Sequence, residues 1–182
     1  MKLALLIAVL ALGTGCAISG EEPDKTPPVK KLPPDERKRR FEALKKELEA
    51  FKPAADAERE EVLGYLQQVL NSSAKFAKEN PRTAEGFEAA CSGALQLASR
   101  SHPKSAELAQ VALDIVPEGG VDMRQIAICW LLVGNGKAVN GDFAGAHAAI
   151  DKMKPLAPDL HTAAVKQLDE VEAKAKAAKK DK

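Results

Sequence analysis

Residues 126–158 read IAICWLLVGNGKAVNGDFAGAHAAIDKMKPLAP, and this stretch decides the fold. Its opening run, Ile126 to Val133, is apolar on every side of a helical wheel, which predicts a helix at the centre of a core. Eight such residues are too few to cross a bilayer. Asp122, with Gln125 three positions later, resembles a capping box ahead of that helix. Gly141-Asp142 then supplies turn chemistry. Beyond it Phe143, Ala146, Ile150 and Met153 recur at helical spacing, and Pro158 closes the segment. Two helices joined by a tight turn are therefore expected.

Outward from this hairpin the same punctuation repeats. Pro158-Asp159 opens a seventh helix carrying Leu160, Ala164, Leu168 and Val171 inward, with Glu170–Lys174 and Glu172–Lys176 pairs on the wet side. Upstream, Ser105 opens a helix with Leu108, Val111, Ala112 and Ile115 inward, ended by Pro117 and Gly119-Gly120. Thr83 starts another, lined by Phe87, Cys91, Ala94, Leu97 and Ala98 and broken at His102-Pro103. A helix from about Ala54 to Glu79 turns Val62, Leu66, Val69, Ser73 and Phe76 to one side and stops at Asn80-Pro81. Asp35 is placed to cap a first helix with Phe41, Leu44, Leu48 and Phe51 as its stripe, and Pro53 ends it. Ala, Leu, Glu, Lys and Gln dominate, aromatics are only 4% of the 182 residues, and no run has strand character. The fold class is all-α, built from antiparallel helical hairpins.

The stretch from Trp130 to Pro158 resembles the tetratricopeptide repeat. Trp130 is followed four residues on by Gly134, Gly141-Asp142-Phe143 matches the turn and the aromatic that opens the second helix, and Ala146 with Ile150 matches the small-then-large pair. Leu156 and Pro158 match the closing signal. The resemblance implies that Gly134 and Ala146 are small so that the two helices approach closely, while Trp130, Phe143 and Ile150 fill the space around them. Lys137 stands where the family has an aromatic, and Met153 where it has Ala. A weaker unit runs from Gly93 to Pro117, the same interval of 24 as Gly134 to Pro158, with Ala109 at the place of Ile150. Gly93 and Gly134 are 41 apart, so the turn at Gly119 would be an insertion. The implied architecture is a short tetratricopeptide-like α-α superhelix.

The amino terminus reads MKLALLIAVLALGTGC over residues 1–16. Lys2 is the basic start, Leu3 to Leu12 an apolar run of signal-peptide length, and small residues abut Cys16. This resembles the lipobox of bacterial lipoproteins, with Gly13 where Leu is usual. It implies cleavage after residue 15, diacylglycerol on Cys16 and, since Ala17 rather than Asp follows, sorting to the outer membrane facing the periplasm. Ordinary signal cleavage after Ala17, or a buried apolar helix, is the competing reading. Residues 16–34 hold five prolines between Pro23 and Pro34 and read as a semi-rigid tether. The expected organisation is thus a signal peptide at 1–15, a tether at 16–34, a helical hairpin at 35–80, a helical-repeat domain at 81–178 and a basic tail at 179–182.

The net charge is +1 with 27 basic and 26 acidic residues, which gives no field for nucleic acid. His102, His147 and His161 have no metal-ligand spacing, and no nucleophile elbow or phosphate loop is present. Gly134-Asn135-Gly136 follows a helix rather than a strand. No reaction, cofactor or small-molecule substrate is expected. Cys91 and Cys129 lie on helices three and five. In an oxidising compartment they are allowed to form a disulfide, and two buried thiols are the alternative.

The repeat resemblance implies that the first helix of each pair lines a concave face. From one unit that face takes Phe87, Ala90, Ala94, Leu97 and Ala98, and from the other Ile128, Leu131, Asn135, Ala138 and Val139. Such an apolar face either grips a protein partner or is covered by the N-terminal helices. The expected function is a lipid-anchored envelope scaffold with a protein partner. The rival is a structural envelope lipoprotein whose charged segment 35–52 makes a coiled coil or touches the wall.

Overall fold

The computed structural model describes residues 32–54 and 56–180, with side chains to Ala178. The segments expected to be a signal peptide (1–15) and a tether, as far as residue 31 and including Cys16, and residues 181–182 lie outside the described residues. Among the described residues the fold is all-α. The helices are α1 (Pro34–Ala50), α2 (Arg59–Glu79), α3 (Ala84–Ser99), α4 (Ser105–Asp114), α5 (Met123–Val139), α6 (Phe143–Asp151) and α7 (Pro158–Lys180). None of them is long and apolar enough to cross a membrane.

Local chemistry accounts for most of the boundaries. Thr83 Oγ1 accepts from the Gly86 amide at 3.1 Å and so caps α3. Asp142 Oδ1 accepts from the Gly145 amide at 2.8 Å and caps α6, directly after Gly141 at φ +80°, a conformation that favours glycine. Asp122 Oδ1 takes the Arg124 amide at 2.9 Å at the start of α5. Two expected starts are corrected. Asp35 does not cap α1. The helix begins at Pro34 with Asp35 in its first turn, where proline's missing amide is an orphan anyway. Nor does α2 begin at Ala54; it begins at Arg59. No apolar side chain larger than alanine precedes Val62 in this segment, so an earlier turn would meet the cost of nucleation with little to bury.

Consecutive helices pack on one another from α1 through α7. Helices of like parity also touch in series, α1 on α3, α3 on α5 and α5 on α7, while α2 touches α4. The result is two layers of helices in hairpin order. Polar bonds fix the register: within one layer Arg37 Nε of α1 meets Glu85 Oε2 of α3 at 2.7 Å, and across the layers Tyr65 Oη of α2 donates to Gln96 Oε1 of α3 at 2.8 Å. Arg124 at the start of α5 reaches Asp159 at the start of α7 at 2.9 Å.

The principal core runs from Leu48 through Leu66, Val69, Phe87, Leu97, Leu108, Cys129 and Leu132 to Ala149. It crosses residue 80, so the N-terminal hairpin and the later helices share it. Full burial of side chains such as Phe87 and Leu97 contributes about 1.5–3 kcal/mol each. A second cluster joins α5, α6 and α7 through Ala127, Ala146, Ile150, Met153, Ala164 and Leu168.

Glycine sets the spacing around α5. A Cβ built on Gly134 would lie 2.9 Å from Ile150 Cγ1 and 3.3 Å from the Ala146 carbonyl oxygen, so α5 and α6 meet at Gly134. Gly136, two residues on and so on the opposite side of the helix, abuts Ala106 of α4. The pair lets α5 nestle between its neighbours. Gly93 meets Ser73 of α2 and Leu108 of α4. The large residue against Gly93 is therefore Leu108 rather than Ala109, one position from where the repeat alignment puts it.

Candidate functional site

The two halves of the expected concave face have different fates. On α3, Phe87, Ala90, Ala94 and Leu97 are all 0% exposed, and Ala98 is half-buried against the same core. They pack with Leu66, Val69 and Ala77 of α2, Leu108 of α4 and Cys129 of α5. This half of the expected surface is corrected to core: α2 and its neighbours cover it. What α3 leaves outward is polar, Glu88, Ser92, Gln96 and Ser99, with Leu95 the exception.

On α5 the corresponding positions stay partly open. Ile128, Leu131, Asn135 and Ala138 are mostly buried but not fully covered, and Val139 is 51% exposed. Leu131 and Ala138 lean on the second cluster, so they belong partly to the packing of α6 and α7. Met123, at the start of the helix, is also exposed. The expectation that α5 is buried all round is thus half right. Ala127, Cys129, Leu132 and Val133 go inward, while one apolar side remains accessible. A helix with no polar face has no side that water prefers, so the stack leaves an apolar strip wherever it runs out of neighbours.

Sequence reasoning missed a cavity. A space of about 250 Å³ lies between α1, α2 and α3, lined by Phe41, Leu44, Leu48, Tyr65, Ser73 and Gln96 among others. Ser73 and Gly93, in close contact with each other, form part of its wall. Ser73 within an apolar stripe is the one sequence signal that pointed to it. Burial, and then the nearby Glu49 charge, push the Tyr65 phenol above its usual range. At one rim Lys45 lies 4.7 Å from the Phe41 ring centre and pairs with Glu42 at 2.6 Å, a bond that raises the Lys45 ammonium above its usual range. The lining contains no histidine and no cysteine, so it brings no nucleophile together with an imidazole base.

The histidines lie elsewhere. His147 Nε2 of α6 is 3.2 Å from Glu172 Oε2 of α7 and 3.6 Å from Asp169, and His161 Nε2 of α7 is 3.2 Å from Asp151 of α6. They tie the last two helices together. The Lys176 ammonium, and then His147, hold the Glu172 carboxyl below the usual range. Among the described residues no group of three or more His, Cys, Asp or Glu is arranged to hold a metal ion.

Cys91 of α3 and Cys129 of α5 are neighbours, both free and both buried, at 1% and 0% exposure. The Cys91 thiol also points to the Gln125 carbonyl, one turn before Cys129, at 3.9 Å. The hydrogen bond between the thiols is the largest influence on both: it holds Cys91 below its usual range and pushes Cys129 well above. Comparison with protein-family models, curated proteins and solved structures finds no match to this chain.

Proposed function

We propose that this chain is a lipid-anchored scaffold of the bacterial cell envelope, held by lipid on Cys16, whose helical hairpins stack in a tetratricopeptide-like superhelix and bind a protein partner along α5. One observation carries the binding surface. Phe87 and Ala94, fully buried in α3, have counterparts in α5, Ile128 and Asn135, that stay partly exposed, and Val139, the counterpart of partly buried Ala98, is 51% exposed. Such a strip accepts an apolar helix or strand, and membrane anchoring raises its local concentration near a partner in the same envelope. The superhelix reading is supported by the contact of Gly134 with Ile150 and Ala146, the residue types and positions that the repeat uses to close its hairpin. Lys137, at the family's aromatic position, takes a different role here and reaches Asp142 of the α6 cap at 3.3 Å.

The rival reading, a coiled coil through segment 35–52, finds little apolar surface to use. Phe41 and Leu48 turn onto the chain's own core, and Phe41 stacks on Phe76 with ring centres 5.6 Å apart. Only Phe51 of that stripe is exposed.

The test uses full-length protein recovered from detergent-solubilised envelopes. Wild type should capture one defined protein, and Ile128→Glu with Val139→Glu should lose it while circular dichroism stays unchanged. Leu97→Glu is the control that should unfold, since Leu97 is core. Capture that survives the α5 changes sinks the surface assignment. Radiolabelled palmitate should enter wild type and not Cys16→Ser, and a palmitate-free wild type sinks the anchor.

A further inference from the structure

Two thiols buried side by side on different helices have a chemistry that isolated buried cysteines lack. Cys91 and Cys129 are the only cysteines among the described residues; both lie in one buried cluster where α3 meets α5, and Cys91 Sγ is 3.9 Å from the Gln125 carbonyl oxygen, one turn before Cys129. Those two helices belong to the same layer and are joined through α4, so a bond between them would close a loop of about 38 residues across the middle of the stack. Nothing else links them covalently, and no ion pair between α3 and α5 appears among the described residues. We infer that Cys91 and Cys129 are a disulfide-forming pair, a covalent staple that locks α5 against α3 when the chain folds in an oxidising compartment. This rests on the proposed export of the chain.

The chemistry is thiol–disulfide exchange with an external disulfide oxidant, either oxidised glutathione or the active-site disulfide of a thiol oxidoreductase. Either thiol can attack first and the products are the same; in the order with Cys91 first, Cys129 resolves the mixed disulfide. Cys91 loses its proton and attacks one sulfur of the oxidant, whose other sulfur leaves as a thiolate and takes up a proton. Cys129 then loses its proton and attacks Cys91 Sγ, expelling the second oxidant thiol. The two protein thiols give up two electrons and two protons, and the oxidant disulfide becomes two thiols. Both sulfurs are enclosed in the folded state, so exchange happens while the hairpins are closing or transiently open. Once formed, the bond is shielded from reductant by the same burial.

The staple acts on the α5 surface as well. It fixes Cys129 one residue beyond Ile128 and thereby holds the inner side of the helix whose outer side carries the proposed binding strip. Reduction would loosen α5 without altering any residue of that strip.

The experiment uses full-length protein from cells, denatured in acid, alkylated with a maleimide before and after reduction, and read by peptide mass. No adduct on Cys91 or Cys129 before reduction, and both afterwards, is the expected result. An adduct on Cys16 before reduction overturns the lipid anchor and leaves the staple standing, which separates the two claims. Adducts on both Cys91 and Cys129 before reduction, in protein recovered from the envelope, overturn the staple. If the protein is found in the reducing cytoplasm instead, purified full chain is equilibrated with glutathione buffers in urea near its midpoint. The pair should oxidise there, and persistence of both thiols in fully oxidised glutathione overturns it. Reduction of the stapled form should lower the urea midpoint on the order of 1 M. An unchanged midpoint means the bond spans no structural constraint and is equally damaging.

Discussion

Replacing Gly136 by alanine should destabilise the chain even though alanine is the better helix former. Gly136 lies inside α5, where alanine is intrinsically favoured by about 1 kcal/mol. Against that gain, the new methyl would be driven into Ala106 of α4. Two methyl carbons settle at about 3.5–4 Å, and the Ala106 methyl has no rotamer by which to move away, so the helices must part. Overpacking of this kind costs typically about 1–3 kcal/mol, and the rigidity of the obstacle puts Gly136→Ala toward the upper end. The net loss is then about 1–2 kcal/mol, or roughly 0.5–1 M in urea midpoint at a slope near 2 kcal/mol/M. Gly134→Ala should be milder. Its obstacle is Ile150 Cγ1 at 2.9 Å, part of a branched side chain able to give a little within a tight site. Gly64 is the internal control. It is exposed in α2 with nothing within 4 Å of its would-be methyl, so Gly64→Ala should stabilise by about 1 kcal/mol. Urea unfolding followed at 222 nm orders the three. A Gly136→Ala midpoint equal to or above wild type would refute the close approach of α4 and α5 on which the stacking argument depends.

Thr83→Ala should cost about 1 kcal/mol, because it strips the α3 cap at the Gly86 amide and also removes the hydroxyl that donates to the Asn80 carbonyl oxygen; thermal unfolding measures it. Arg37→Ala removes the half-buried pair with Glu85 and should cost about 1 kcal/mol, showing as faster amide exchange in 36–50 with α3 to α5 unchanged. Uniform acceleration throughout would mean that α1 is integral to the cooperative unit. Acid should weaken the fold through Asp142 and Glu172. The Asp142 carboxyl is held below its usual range by the Gly145 amide and then Lys137, and Glu172 by Lys176 and then His147. A carboxylate depressed in the folded state contributes above its unfolded pKa and loses that contribution as pH falls through the folded value. Urea midpoints should therefore drop as the pH falls below about 4, and Asp142→Asn should drop less steeply.

Much of the backbone was legible because it is written in local chemistry. Thr83 and Asp142 announce helix starts, Gly141 the turn, and Pro158 the start of α7. The Gly134–Ile150 contact was legible too, since a small residue followed sixteen later by a large one is a hairpin signature. The candidate surface was only half legible. A stripe such as Phe87, Ala90, Ala94 and Leu97 states that a face is apolar and is silent on which neighbour covers it. Here α2 and α4 do. The slip from Ala109 to Leu108 opposite Gly93 has the same origin. Interval matching preserves distance along the chain, while packing selects the bulk that fits. The cavity beneath α1 needed three segments far apart in sequence to come together, and only Ser73, polar within an apolar stripe, hinted at it.

The most direct test of the scaffold reading is photocrosslinking from α5 in intact cells, with a benzophenone amino acid in place of Val139 in the full-length chain and, separately, in place of Gly64 on exposed α2. The account predicts one discrete crosslinked protein from position 139 and none from position 64. No crosslink at position 139, or the same products from both positions, would contradict a partner seated on α5.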